Sequence, residues 1–225
     1  MLSTAQAKQP ESQDLSASLY KQLSGTEARA QTMALNQTLK QAQEVSSLVL
    51  IQAAAVALHK KRLEDAAFLY YIADFREAFD KKKYLPKGST GNSPDTIYAQ
   101  LSSTVSTAVE AQIIVEPVAF KRMLARVNRW RPQTPPSYSP GWDYKEDNAE
   151  AAHKAYKTLA DDFHINRSGL ATLLSDAEYL RNLKIVMAYN LESGVKQPSE
   201  AAAAAAAKRI EAIERAKNIH TSLVK

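Results

Sequence analysis

The 225-residue chain contains no cysteine. Disulfides, thiolate metal sites and cysteine nucleophiles are therefore excluded. Glycine is scarce, at six residues, and neither a dinucleotide fingerprint nor a G-x-S-x-G elbow is present. Lys87-Gly88-Ser89-Thr90-Gly91 has the ending of a phosphate loop without the glycine and strand that precede one. Histidine occurs four times, as His59, His153, His164 and His220. None pairs with another at i, i+4, so a zinc site would need distant residues to converge. No cofactor signature is found. Long apolar runs are missing too: residues 48–58 reach about half of the ~20 a membrane span needs. The opening residues, MLSTAQAKQPESQDLS, hold no signal-peptide core. Their Gln/Ser-rich character fits the mature start of an exported, periplasmic protein slightly better than a cytoplasmic one.

Adjacent carboxylates do not make up for these absences. Glu64-Asp65 and Asp161-Asp162 point about 100° apart on a helix, so neither forms an acid/base pair. Both are assigned to helix ends. Glu150 and Glu178 could act in catalysis only if folding brought them together.

What is abundant is Ala, Leu, Gln, Glu and Lys, which favours helix nearly everywhere. The chain reads as all-α: seven to nine helices in antiparallel pairs, in a solenoid-like or bundle arrangement. Residues 63–79, LEDAAFLYYIADFREAF, form the central helix. Ala66, Leu69, Tyr70 and Ala73 share one face, and Phe68, Tyr71, Ile72, Phe75 and Phe79 cover most of the rest. A helix apolar on so many sides requires neighbours around it. Glu64 and Asp65 suit the positive end of its dipole and Lys81, Lys82 and Lys83 the negative end. Pro86 and Gly88 then stop it.

Residues 1–13 are expected to be a disordered leader, and 14–225 a single helical domain. A first helix runs from Asp14 to about Gly25. A second segment runs from Thr26-Glu27 to about Arg62, with Ser46-Ser47 the place where it could break. A Gly/Ser/Asn/Pro loop over 86–94 leads to helices from Pro94 to about Ile114 and from Glu116-Pro117 to Trp130. A proline- and aromatic-rich loop over 131–146 interrupts the pattern, and such a loop is functional or a linker more often than not. Asp147 or Asn148 caps the next helix, and Asn166-Arg167-Ser168-Gly169 is read as a turn. A helix over 173–191 follows. The last, over 199–222, opens with Glu200 and seven alanines.

The helix pair at about 47–80 resembles one repeat of the tetratricopeptide or Sel1-like class, on Ala66, Tyr70 and Ala73 in the second helix and Ala54 and Ala57 in the first. The helix-A glycine and tyrosine of that pattern are absent, and no second copy aligns at a period of about 34 residues. The segment DAAFLYYIADFR, with the later R-W-x-P-x-T-P over 129–135, is also similar to small bacterial helical proteins of toxin-immunity type. That resemblance implies a non-enzymatic, tight-binding role.

The functional expectation is a protein–protein interaction module of immunity or adaptor type. It would bury another protein's surface in a groove lined by Tyr70, Arg76, Trp130 and Trp142, with Tyr138 and Tyr144 from the aromatic loop. Trp, Tyr and Arg dominate binding hot spots. The same aromatics would equally serve to pack the loop inward, and a buried Arg76 would need a carboxylate partner. Two other readings stay open. One is a helical hydrolase with dispersed carboxylates and histidines. The other, less favoured, is a nucleic-acid binder, supported by a net charge of +5. It would require Lys60–Arg62, Lys81–Lys83 and Lys121–Arg131 to merge into one stripe. The oligomeric state is left open.

Overall fold

The computed structural model describes residues 15–87, 94–190 and 197–221. The expected leader over 1–13 and most of the 86–94 loop lie outside the described residues. Nine helices and one small two-stranded sheet are described.

Helix α1 (Leu15–Ser24) buries Leu19 and Leu23, one turn apart, and Gly25 follows its end. Helix α2 (Ala28–Lys40) starts where the Glu27 carboxylate accepts the Arg29 and Ala30 amides, satisfying two donors that the helix itself leaves unpaired. The expected run from 26 to 62 is broken over residues 41–46, before α3 (Ser47–His59). Helix α4 (Leu63–Lys83) extends four residues beyond the expected end, taking in all three lysines. Fourteen of its residues are buried. It touches α3, α5 (Pro94–Ile113), α6 (Pro117–Arg129) and α7 (Ala149–Leu173). The all-round apolar sequence is thus matched by neighbours on every side. Helix α7 runs antiparallel to α4: Tyr71 meets Phe163 at 5.0 Å and Phe79 meets His153 at 5.5 Å.

Strands β1 (Tyr84–Pro86) and β2 (Tyr144–Asp147) pair antiparallel, with Tyr84 opposite Asp147. Asn148 caps α7, its side chain accepting the Ala151 amide at 3.0 Å.

Three expectations need correcting. Residues 166–169 do not turn; α7 passes through them to Leu173. Gly169 is where the helix meets the C-terminal segment, and a Cβ placed there would lie 3.0 Å from Ile219 Cγ2. The glycine serves close approach. Likewise, Asp161 and Asp162 sit inside α7 and not at its end, Asp161 paired with Lys157 at 2.5 Å. Helix α8 (Ala177–Asn190) begins later than expected, because residues 174–176 form the turn. Its partner α9 (Glu200–Lys217) is capped by Ser199 and ended by Asn218 in the left-handed region at φ 53°. Glu214 of α9 is buried and accepts from Tyr179 at 3.0 Å and from Thr221 at 2.5 Å, tying the pair together.

Candidate interaction surface

Arg76 lies on α4 with 0% exposure, beside Asp80 one turn on. Its Nε donates to Asp80 Oδ2 at 3.1 Å and to the Tyr138 hydroxyl at 2.9 Å. Its Nη1 donates to the Gln43 carbonyl at 3.2 Å and the Gln133 carbonyl at 2.9 Å. The Tyr138 ring stacks 3.9 Å from the guanidinium, and its hydroxyl donates to Asp80. One guanidinium therefore joins α4, the turn between α2 and α3, and the aromatic loop. Burial pushes the Asp80 carboxyl up to about 6, with Arg76 and Tyr138 pulling against that shift. Burial likewise raises the Tyr138 hydroxyl well above its ordinary value.

The rest of the loop is fastened by its indoles. Trp130, 3% exposed, donates to the Ala42 carbonyl at 3.0 Å, and Trp142 to the Tyr84 carbonyl at 2.8 Å. Tyr156 donates to the Trp130 carbonyl at 2.7 Å. Tyr70 is 8% exposed against Tyr71 at 5.0 Å. Of the six residues expected to meet a partner, Arg76, Trp130 and Tyr70 face inward. Tyr138 and Trp142 are half-buried, and Tyr144, 42% exposed, presents its ring to solvent. The structure brings Arg76 and Tyr138 into contact and leaves Tyr70 on another part of α4. Among the described residues Arg76 and Trp130 line no common open groove, because both are packed against the chain itself.

An open groove does run elsewhere, along the outer face of α7. Near the end of α4 a cavity of about 480 Å³ is floored by Ala78, Ala151, Ala155 and Leu159 and edged by Lys82 and Lys154. It shares Leu159 and Asp162 with a second cavity of about 490 Å³ that continues past Phe163 and Leu170 to His220 and Thr221. From Ala151 to Leu170 the groove follows the helix for about 28 Å. None of its small floor residues was singled out from the sequence. The signal available there was the four-residue spacing of Ala151 and Ala155.

Of the three basic groups, two meet. At the start of α4, Asp65 binds Arg62 at 2.8 Å and Arg126 at 2.9 Å, and Glu64 binds Arg122 at 2.8 Å. Lys81–Lys83 lie at the other end of the same helix, about 30 Å away. A single stripe through all three is not formed.

Among the described residues no group of three or more His, Cys, Asp or Glu is placed to hold a metal ion. Within that same span no helix is long and apolar enough to cross a membrane. Asp74 and Tyr98 form a separate, part-buried pair at 2.5 Å, and burial raises the Asp74 carboxyl.

No family model, characterised protein or solved structure matches this chain.

Proposed function

We propose that this chain is a non-enzymatic protein-interaction module of toxin-immunity or adaptor type, and that its partner lays a helix along the outer face of α7. The observation that carries this reading is the groove from Ala78 and Ala151 to Leu170. Alanines at its floor let another backbone come close, and Leu159 offers an apolar contact midway. Helix-in-groove recognition reads such a face through apolar anchors at helical spacing. Lys82 and Lys154 edge one end and would meet acidic residues of the partner. The buried Arg76 cluster then serves to hold the loop and α4 rigid, so that little ordering is needed on binding.

The test is a pull-down of tagged protein from its native host, followed by mass spectrometry, for the wild type and for Ala155→Arg. Ala155 is half-buried at the groove floor, and an arginine there fills the groove from the solvent side. One stoichiometric partner, lost in the variant while the circular dichroism stays the same, is the expected result. A partner that survives Ala155→Arg, or the lack of any partner, would count against the reading.

A further inference from the structure

The ion-paired face at the start of α4 continues into a cleft of about 260 Å³. Leu39, Ala42, Phe68 and Trp130 make its floor, and Lys40, Arg126 and Arg129 its rim. The Arg126 guanidinium lies 4.1 Å from the Phe68 ring, held there by Asp65 at 2.9 Å and Glu64 at 3.8 Å. Lys40 and Arg129 end α2 and α6 and are exposed. Neither makes an ion pair or side-chain hydrogen bond among the described residues. Arg62, on the same ion-paired face, also donates to Asn36 at 2.8 Å. Three arginines, Arg62, Arg122 and Arg126, thus pair with the two carboxylates at the start of α4. Val118, 67% exposed, shares the outer stripe of α6 with Arg122 and Arg129.

We infer that this face is a second docking surface, one that takes an acidic protein inserting a single apolar side chain into the cleft between Lys40, Arg126 and Arg129. Three features favour a protein over a nucleic acid. Glu64 and Asp65 lie among the arginines of this face, and a phosphate backbone carries only negative charge whereas a protein surface can offer both signs. Phe68 and Trp130 are 7% and 3% exposed and the Arg126 guanidinium lies over the Phe68 ring, so neither gives a free face on which a base could stack. An apolar floor ringed by charge is the anatomy of a hot-spot pocket, and this one is smaller than the cavities that hold drug-sized ligands. The surface is separate from the α7 groove, and its test stands whether or not that groove takes a partner.

The experiment is fluorescence anisotropy with the full chain and three labelled probes. They are a peptide of glutamates around one phenylalanine, the same peptide with alanine in that place, and duplex DNA of similar charge. The phenylalanine peptide is expected to bind with an affinity that falls as salt is added. The alanine peptide should bind several-fold more weakly. Lys40→Glu with Arg129→Glu should lower affinity roughly tenfold or more, and Lys40→Gln with Arg129→Gln by an intermediate amount. Melting curves check that both variants fold. Ala155→Arg should leave peptide binding unchanged. Equal affinity for the two peptides, tighter binding of the DNA, an unaffected charge-reversed variant, or no binding of any probe would each overturn the inference.

Discussion

Arg76 donates to four acceptors in three separate segments while wholly withdrawn from water. Removing it leaves Asp80 buried without its counter-charge and takes the Arg76 donor from the Gln133 carbonyl, while the Gln43 carbonyl keeps the Gln133 amide at 2.7 Å. Arg76→Met is therefore expected to cost about 3–5 kcal/mol in urea unfolding at neutral pH. Arg76→Met with Asp80→Leu should lose much less, since no bare charge remains; equal losses would show that the ion pair is not the main term. Asp80 also predicts a pH dependence. Its carboxyl rises from 3.8 to about 6, so the folded state holds the proton more tightly than the unfolded one. Its contribution favours folding most below the unfolded value, declines as pH rises between the two, and is lost above the folded value. The full swing is about 3 kcal/mol. Wild-type stability measured relative to Asp80→Asn should fall across that window, and a rise would show that the carboxylate is stabilised by its surroundings. The need of a buried Arg76 for a carboxylate was legible in the sequence. Asp80 at i+4 was the available clue, whereas Gln43 and Gln133 were hidden, because backbone carbonyls carry no signature in residue type.

Among the elements, α7 departs most from expectation. Asn166-Arg167-Ser168-Gly169 has the composition of a turn, yet the helix continues because Leu170 and Leu173 are buried beyond it. Arg167 is held by Glu110 at 3.0 Å and lies 5.1 Å from the Tyr71 ring. Tertiary contacts on both sides of the glycine outweigh its helix cost of about 1 kcal/mol. Gly169→Val should drive a side chain into Ile219 and cost about 1–3 kcal/mol by overpacking. Hydrogen exchange would locate the damage: faster exchange in residues 219–221 and α9, with α4 unchanged. Uniform loss across the chain would mean that the C-terminal pair is not a separable unit. The long aromatic loop shows the opposite case. Its position was clear from four prolines and three aromatics, but its indoles could point either way until their carbonyl partners were placed.

At the scale of the molecule, α4 is the axis on which other helices are assembled. Phe75 shows how: its ring meets Phe163 at 5.2 Å, Tyr156 at 6.0 Å and Trp130 at 6.4 Å. A single side chain thus joins the central helix, α7 and the start of the loop. Phe75→Ala should cost about 3–5 kcal/mol, read as a lower melting temperature for the whole transition. A small loss confined to α7 would mean that the aromatic cluster is local. The two candidate docking surfaces lie on different elements, one along α7 and the other between the ends of α2 and α6. That separation suits an adaptor with two faces.

The sequence by itself determined the all-α class, the central helix and most helix starts. Those depend on local periodicity, caps and prolines, which neighbouring residues encode directly. It also predicted the neighbours that α4 requires, since an all-round apolar helix is unstable alone. Only the tertiary structure decided that Arg76 and Trp130 face inward, that Gly169 lies within a helix, and that Lys40, Arg126 and Arg129 share one cleft. Each of these depends on contacts between segments tens of residues apart, where the energy lies in packing and desolvation that no local pattern records.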